Sequence, residues 1–314
     1  MEHLTISLFL TRRCSARCSH CGTWFLPKAE ADFSREDIGR FIHEISKVSA
    51  FEAVGLSGGE VFVARELFSF AVDELRKSGL RYTFVTNAFW ATSRAVAREM
   101  LLNYKDTIGM GLSADTFHQE FIPIERVVFA SQAAGDLNIP HLIRVTMRAG
   151  ETEEEMLSRL KEAGLTRFDH LQFAPLMYLG RAREELPAED FPDDNQPIGC
   201  LSLRTPFLFS GGDLYACCGE ASNIPGNHPL FLGSIHKSDL GLLIEKYDAD
   251  PFLRAIYEVG PRALYDLLGE APEGPPEELL FRSPCGTCRL IFEDERRIKR
   301  LGLILEKRGR VTVR

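Results

Sequence analysis

Strand-like and helix-like segments alternate along the first part of the chain, and this alternation restricts the possible folds more than any other feature. The predicted strands cover residues 4–10, 52–57, 81–86, 107–113, 141–147 and 168–176, and the predicted helices cover 34–50, 65–79, 93–104, 124–135 and 152–164. Alternation of this kind is typical of a parallel sheet with helices outside it. Six units fall short of the eight of a closed barrel, so we expect an α/β fold with a partial (β/α)6 TIM-like barrel.

The pattern changes after the sixth predicted strand. Residues 184–199 read EELPAEDFPDDNQPIG, an acidic stretch with three prolines that is typical of a boundary or linker. Beyond it the sequence is irregular and holds five of the eight cysteines. We therefore expect a barrel domain over residues 1–183 and a small, irregular, cysteine-rich extension over residues 184–314. Because the chain opens on its first strand, we expect no peptide-leader-binding domain before the barrel.

Charge and cysteine content limit the classes of partner. The formal net charge is −8, so we expect no nucleic-acid partner and no anionic membrane partner. The segment 296–314 is a basic exception, and it fits either a solvated helix end or a contact surface for an acidic partner. The sequence has no secretory signal and no apolar run of membrane-spanning length, so we expect a cytoplasmic protein. Clustered cysteines in such a protein favour metal ligation over disulfides.

Unusual residues follow four of the predicted strands, where parallel α/β folds carry their chemistry. Three cysteines follow the first strand, SGGE (57–60) the second, TNA (86–88) the third and SADTFH (113–118) the fourth. Each motif alone is weak evidence. Because the carboxyl ends of neighbouring parallel strands lie at the same edge of a sheet, the four motifs together predict an active site there.

The three cysteines of this first motif are Cys14, Cys18 and Cys21, in the segment CSARCSHC. Their spacing, C-x3-C-x2-C, fits no common zinc pattern. Three thiolates can hold three irons of a [4Fe–4S] cluster and leave the fourth iron open, as catalytic metal sites need. A small molecule can then chelate that iron through an amine and a carboxylate.

This segment resembles the C-x3-C-x-aromatic-C signature of the radical S-adenosylmethionine (SAM) enzymes, and the resemblance covers about residues 4–180. It implies that SAM binds the open iron and is cleaved by one electron to methionine and a 5′-deoxyadenosyl radical. That radical abstracts a hydrogen atom from a substrate carbon. A flavodoxin or ferredoxin is the expected electron donor. His20 stands where the family usually has an aromatic residue, and we expect it against the adenine.

Further residues match the family's SAM-binding motifs. Gly58, Gly59 and Glu60 match the motif that receives the SAM amino group, because glycines allow close backbone approach and a carboxylate pairs with an ammonium. Ser113 and Asp115 match the positions that bind the ribose hydroxyls.

Two more residues complete the set expected to bind this cofactor. Asn87 belongs to the TNA motif after the third strand. Arg144, on the fifth strand, would pair with the SAM carboxylate, or else form a structural ion pair.

A second set of cysteines lies in the C-terminal extension. GGDLYACC resembles the G-x4-C element of the SPASM/twitch extensions of many radical SAM enzymes, CGTC supplies a further pair, and GRA at 180–182 precedes the extension. The resemblance implies one auxiliary [4Fe–4S] cluster, and zinc on four thiolates is the alternative. The predicted ligands are Cys200, Cys217, Cys285 and Cys288.

The ligand Cys217 is followed directly by Cys218. If this segment is extended, neighbouring side chains point to opposite sides and only one of them readily faces the cluster. The other is then a thiol near the active site or a buried, inert cysteine. LSGGEVF, VTNAFWATS, DLYACCGE and SPCGTCRLIF together resemble radical SAM epimerases that convert residues of ribosomally made peptides from L to D. That resemblance implies that Cys218 donates a hydrogen atom to the α-carbon radical.

Three functions remain open at this point. The first is a radical SAM enzyme that epimerises a peptide. The second is a radical SAM enzyme that makes, breaks or oxidises a bond in a small amino-acid-like metabolite of natural-product biosynthesis. The third is a non-catalytic iron–sulfur protein for electron transfer or sensing, but the GGE and SAD motifs argue against it because electron transfer needs no SAM site.

Overall fold

The computed structural model of the protein describes residues 5–22, 32–193 and 195–311. These residues group into two units. The first, the barrel unit, holds residues 7–19 and 32–176, and the second, the C-terminal unit, holds the other described residues. The domain limits suggested by the sequence, at residues 183 and 184, stay a prediction. Leu4 and residues 312–314, which belong to predicted segments, lie outside the described residues.

The predicted strands and helices of the barrel unit are all present, and their ends differ from the prediction by a few residues. The strands are β1 (Thr5–Phe9), β2 (Ala53–Ser57), β3 (Arg81–Thr86), β4 (Gly109–Ser113), β5 (His141–Met147) and β6 (Leu171–Pro175). The helices are α1 (Arg35–Ser46), α2 (Arg65–Lys77), α3 (Arg94–Leu102), α4 (Thr116–Gln119), α5 (Ile124–Asp136) and α6 (Glu153–Glu162). The short α4 is the one helix of this unit's described residues that the sequence did not predict.

The strands lie in the order β6-β5-β4-β3-β2-β1, and the pairs from β2 to β6 are parallel. Register pairs across the sheet include Val85 with Gly111 and Ser113 with Arg144. Parallel neighbours joined by helical crossovers confirm the α/β class with a partial barrel that the alternation predicted.

The two faces of this sheet differ in character because side chains alternate along each strand. One face is apolar and buried: Leu56, Phe84 and Leu112 are each at most 1% exposed. Phe84 packs edge-on against Phe68 of α2, with 5.3 Å between ring centroids. Burying one such side chain contributes about 1.5–3 kcal/mol to folding. The other face carries small or polar residues, among them Gly111, whose added Cβ atom would lie 2.9 Å from Val85 Cγ1.

Local sequence signals fix the helix ends. The Ser34 hydroxyl accepts a hydrogen bond from the Asp37 amide at 3.0 Å and caps α1. Gly79, just after α2, adopts a φ of 69°, a left-handed conformation that favours glycine. Thr152 and Glu155 form a reciprocal capping box at the start of α6.

The C-terminal unit is more regular than its sequence suggested. Its strands are β7 (Phe207–Leu208), β8 (Asp213–Tyr215) and β9 (Phe231–Ser234), and its helices are α7 (Ala182–Glu185), α8 (Leu240–Ala249), α9 (Pro251–Asp266), α10 (Gly274–Phe281), α11 (Pro284–Phe292) and α12 (Glu295–Val311). The three strands pair antiparallel. Prolines and glycines interrupt the helical periodicity, which explains why the sequence pattern looked irregular.

Part of the basic charge of α12 is neutralised within the C-terminal unit. The Arg297 guanidinium pairs with Glu270 at 3.1 Å and with Glu277 at 3.1 Å. Arg300 also pairs with Glu270. These arginines therefore anchor the helix. Among the described residues, no helix is both long and apolar enough to cross a membrane.

Candidate active site

The loop that follows β1 and carries the first three cysteines is held by the SGGE loop after β2. The Gly59 amide donates to Thr11 O at 2.6 Å, and the Glu60 amide donates to Arg13 O at 2.9 Å. An added Cβ atom would lie 2.6 Å from Thr11 O on Gly58 and 2.5 Å from Arg13 O on Gly59. Both glycines are therefore required where one backbone approaches the other. Their predicted contact with the SAM amino group stays a prediction.

The cysteines of this loop differ in exposure. Cys14 is exposed, Cys18 is only 7% exposed and Cys21 is half-buried. His20, between them, is half-buried as well. Ligation of iron by the three thiols and contact of His20 with adenine stay predictions.

The GRA segment packs directly on the backbone of Cys21. The Arg181 amide donates to Cys21 O at 3.0 Å. Gly180 adopts a φ of 58°, and an added Cβ atom there would lie 2.4 Å from Cys21 O. No other residue type fits this position without a shift of the backbone.

Glu60 is a buried carboxylate that joins the loops after β2 and β3. Its Oε1 accepts hydrogen bonds from the Thr86 hydroxyl at 2.7 Å and the Phe62 amide at 3.1 Å, and its Oε2 accepts from the Asn87 amide at 2.7 Å. Burial raises the pKa of Glu60 to about 7, although these hydrogen bonds act in the opposite direction. The carboxyl group is 1% exposed, so its first role is to tie the SGGE and TNA motifs together.

Asn87 extends this connection to the cysteine loop. Its side-chain Nδ2 lies 3.1 Å from the Ser15 hydroxyl and 3.8 Å from Cys14 Sγ. The residue itself is only 5% exposed. Three of the four predicted motif loops therefore meet at Asn87.

Ser113, the first residue of the fourth motif, lies in a row of polar residues. This row is on the face of the sheet that carries small or polar side chains, which we call the open face. Ser113 of β4 is the register partner of Arg144 on β5, which in turn pairs with Gln172 on β6. The Arg144 guanidinium donates to Gln172 Oε1 at 3.1 Å. In the described part of the chain no carboxylate pairs with Arg144, so the structural ion pair considered above is not observed. A carboxylate ligand remains the partner expected for this exposed guanidinium.

Asp115 caps the short helix α4 and holds His118. Its Oδ1 accepts hydrogen bonds from the His118 amide at 3.0 Å and lies 2.8 Å from the ring Nδ1. Burial alone would lower the pKa of His118, but Asp115 and the hydrogen-bonded Cys18 thiol outweigh it and raise that pKa to about 10. Asp115 is 2% exposed, and its contact with ribose stays a prediction. The SADTFH motif contains this histidine, but the sequence alone does not indicate its contact with Cys18.

The second cysteine set converges within the C-terminal unit. Burial raises the pKa of Cys217, Cys285 and Cys288, and the negative charge of neighbouring thiolates raises it further. Cys200 is among the neighbours whose charge raises the pKa of all three thiols. Neighbouring thiolates repel one another, and a positively charged metal group would offset their charge. The residues present therefore fit a cluster or a zinc ion.

Glycines permit Cys200 to reach this site. The Cys200 amide donates to Ile256 O at 2.9 Å, so the segment crosses α9. An added Cβ atom on Gly199 would lie 2.1 Å from Tyr257 O, and one on Gly260 would lie 2.0 Å from Ile198 O. Gly260, with a φ of 86°, also kinks α9 at this crossing.

The CGTC pair lies in the first turn of α11. Ser283 caps this helix by accepting from the Gly286 amide at 3.1 Å. Cys285 and Cys288 are three residues apart and so share one face of the helix. Gly219 lies against the same sulfurs, since an added Cβ atom would be 3.0 Å from Cys285 Sγ and 3.7 Å from Cys217 Sγ.

The two adjacent cysteines differ in exposure. Cys217 is half-buried, whereas Cys218 is exposed. Cys218 nevertheless lies close enough to raise the pKa of both Cys217 and Cys285, so the exposed thiol stands beside the second cysteine set. The assignment of one as ligand and the other as donor stays a prediction.

Glu220, two residues further on, is a buried carboxylate to which the sequence motif assigned no role. Its side chain is 1% exposed and its Oε2 accepts from the Arg289 guanidinium at 3.1 Å. Its negative charge raises the pKa of the Cys285 and Cys288 thiols. This ion pair therefore adds polar groups beside the thiols.

Comparison with known proteins identifies the domain. The sequence profile of the radical SAM superfamily matches residues 8–157, which include the first three cysteines and all four strand-end motifs. YydG of Bacillus subtilis (strain 168), whose name assigns it to peptide biosynthesis, is 22% identical over 321 residues, covering 98% of each chain.

Two solved structures share the fold. Native anSMEcpe with bound AdoMet and Kp18Cys peptide gives a TM-score of 0.58 at 15% identity, covering 97% of this chain and 99% of that one. Streptococcus suis SuiB bound to precursor peptide SuiA gives a TM-score of 0.55 at 15% identity, covering 93% of this chain and 75% of that one. The parallel sheet, the cysteine loop and the profile match agree, and residues 8–157 therefore form a radical SAM domain.

Proposed function

We propose that this radical SAM enzyme modifies a ribosomally made peptide, and specifically that it converts an L-residue to its D-form. The observation that carries the proposal is the CC pair, in which an exposed Cys218 follows a half-buried Cys217 beside three further cysteines. The name of YydG, which assigns that relative to peptide biosynthesis, supports a peptide substrate. The structures of anSMEcpe and SuiB with peptides support it at the level of the fold.

A radical SAM domain implies a [4Fe–4S] cluster and SAM, which together supply a 5′-deoxyadenosyl radical for hydrogen abstraction. We assign the ligands of this cluster to Cys14, Cys18 and Cys21. The SAM contacts remain those expected from the sequence. Among them, the row of Ser113 and Arg144 on the open face offers a hydroxyl and a guanidinium to a polar, zwitterionic ligand.

The auxiliary cluster is part of the proposal. Cys200, Cys217, Cys285 and Cys288 would hold it, because burial and repulsion between neighbouring thiolates make the charged form of the last three unfavourable without a metal. Its electrons, and those of the first cluster, would come from a reductant of the flavodoxin or ferredoxin class in the cytoplasm.

Cys218 would complete an inversion at the α-carbon. Abstraction leaves a carbon radical, and the S–H bond of Cys218 breaks as a new C–H bond forms on the opposite face. The resulting thiyl radical then takes one electron from the reductant and one proton from solvent, which restores the thiol. A thiol can perform this step only if substrate reaches it, and Cys218 is exposed.

The test is anaerobic incubation of the reconstituted enzyme with SAM, a reductant and a peptide encoded beside its gene, in D2O. Epimerisation adds one deuterium to the converted residue, seen as a mass increase of one, and chiral amino-acid analysis then finds the D-residue. Turnover that leaves every α-carbon L, or that occurs only with a small metabolite, would refute the proposal and favour the small-molecule alternative.

A further inference from the structure

We propose that Asn87 is a positioning residue for the first cluster: its side-chain amide donates a hydrogen bond to the Cys14 sulfur and so raises the reduction potential of that cluster. The inference rests on the proposed ligation of iron by Cys14. The structure pairs Asn87 with the Cys14 sulfur, whereas the sequence motif placed Asn87 among the cofactor-binding residues without naming its partner.

The hydrogen bonds around Asn87 decide which end of its amide faces the cysteine. The Asn87 Oδ1 accepts from the Phe89 amide at 3.1 Å, and an amide N–H can be paired only with an acceptor. The other end of the group is therefore the NH2, which has two hydrogens to donate. One is directed at the Ser15 hydroxyl at 3.1 Å, and the other at Cys14 Sγ at 3.8 Å.

The backbone of the TNA turn holds this side chain in place. Ala88, the next residue, adopts a φ of 60°, a left-handed conformation that is strained for a residue with a Cβ atom. Such a conformation persists only where its surroundings fix it. Here the Ala88 amide donates to Thr86 Oγ1 at 3.1 Å, and the Asn87 amide donates to Glu60 Oε2 at 2.7 Å. The Trp90 indole also donates to Thr86 Oγ1, at 3.0 Å.

The chemistry of a ligated thiolate gives this contact its consequence. Hydrogen bonds to cluster sulfurs stabilise the more negative, reduced state and so raise the reduction potential. Cys14 Sγ also receives the Ala16 amide at 3.4 Å. Asn87 is thus a side-chain donor to Cys14, and it can be removed by mutation while the backbone donor remains.

The matched substitution is Asn87→Asp, which keeps the shape of the side chain but removes both N–H donors. The control is Asn138→Asp, the same chemical change at a residue of the barrel unit in the turn before β5, where φ is 55°. Asn87→Ala provides a second test should the aspartate variant fail to fold.

The experiment is an EPR-monitored redox titration of the anaerobically reconstituted full-length enzyme without SAM, in which the first cluster is identified by the change of its signal when SAM is added. We expect a tenfold less favourable reduction in Asn87→Asp, which corresponds to about 59 mV more negative for one electron. Loss of about half the iron from a folded variant would equally support the contact. The control should match the wild type.

Other results would overturn the inference or the ligand assignment on which it rests. Retained iron with an unchanged potential, together with weaker SAM binding, would make Asn87 a SAM contact and overturn the inference. Because the titration uses no substrate, failure of peptide epimerisation would not affect the inference about Asn87. Wild-type enzyme without iron at the first site would instead refute the assignment of Cys14 as a ligand.

Discussion

Replacing Glu60 by glutamine should change how the stability of the protein depends on pH. Burial raises the pKa of this carboxyl group from its ordinary value of 4.5 to about 7 in the folded chain. One pKa unit corresponds to about 1.4 kcal/mol, so the difference amounts to about 3 kcal/mol. Because the folded protein holds the proton more tightly than the unfolded chain, this stabilisation is complete below pH 4.5 and is lost as the pH rises through 7.

Glu60→Gln cannot ionise, so it lacks this pH dependence. It also loses one hydrogen bond, because its NH2 group would face the Asn87 amide that now donates to Oε2. That loss costs about 1–3 kcal/mol, and it does so at every pH. The variant should therefore be about 1–3 kcal/mol less stable than the wild type at pH 5. Between pH 5 and pH 8 the wild type should lose about 2.5 kcal/mol of stability and the variant should not, so the difference should close or reverse.

The measurement is urea unfolding of both proteins between pH 5 and 8 under anaerobic conditions, followed by circular dichroism. The difference between the two free energies of unfolding removes the contribution of all other titrating groups. Glu66→Gln is the control, because the Glu66 side chain is 94% exposed and should give a constant difference near zero. Parallel curves for wild type and Glu60→Gln would show that the carboxyl group is ionised in the fold, and the reasoning would fail.

Three further results are expected. The reconstituted protein should hold about eight irons, and replacing the three cysteines of the first loop by alanine should halve that number. Finding zinc together with only about four irons would contradict the proposed auxiliary cluster. Cys218→Ala should keep its iron, cleave SAM and abstract substrate hydrogen, but solvent deuterium should no longer enter the product. Loss of the auxiliary iron in Cys218→Ala but not in Cys217→Ala would reverse the two roles. Gly180→Ala should lower iron loading at the first site, because its Cβ atom would lie 2.4 Å from the backbone of Cys21. The control is Gly150→Ala, since Gly150 has a positive φ but open space around it, and this variant should only lower stability by about 1 kcal/mol. Equal iron loading in the two glycine variants would separate Gly180 from the cysteine loop.

Much of the barrel unit was predictable because its strands leave a clear pattern. Apolar residues such as Leu56, Phe84 and Leu112 recur where each strand meets its covering helices, and punctuating residues such as Ser34 and Gly79 mark helix ends. The four-residue α4 left no pattern, since one turn is too short for helical periodicity to show.

Contacts between motifs were less accessible than the motifs themselves. The sequence indicates that Glu60 follows two glycines, but not that its carboxylate turns away from solvent toward Thr86 and Asn87. The contact of His118 with Cys18 and the ion pair of Glu220 with Arg289 join residues that are far apart in the chain. Such pairings depend on tertiary packing, which a single sequence does not reveal.

The crossing of Cys200 over the kink in α9 has a consequence for the order in which the protein matures on the ribosome. Cys200 is synthesised well before Ile256 and Gly260, to which its segment fits at backbone contact distance. Chains emerge from their amino terminus, so this thiol remains unplaced until the kinked helix and the later CGTC pair have left the exit tunnel. If the proposed ligands are right, the first loop, with its cysteines and SGGE support early in the chain, could take up iron during synthesis. The second set could then be loaded only after synthesis is nearly finished.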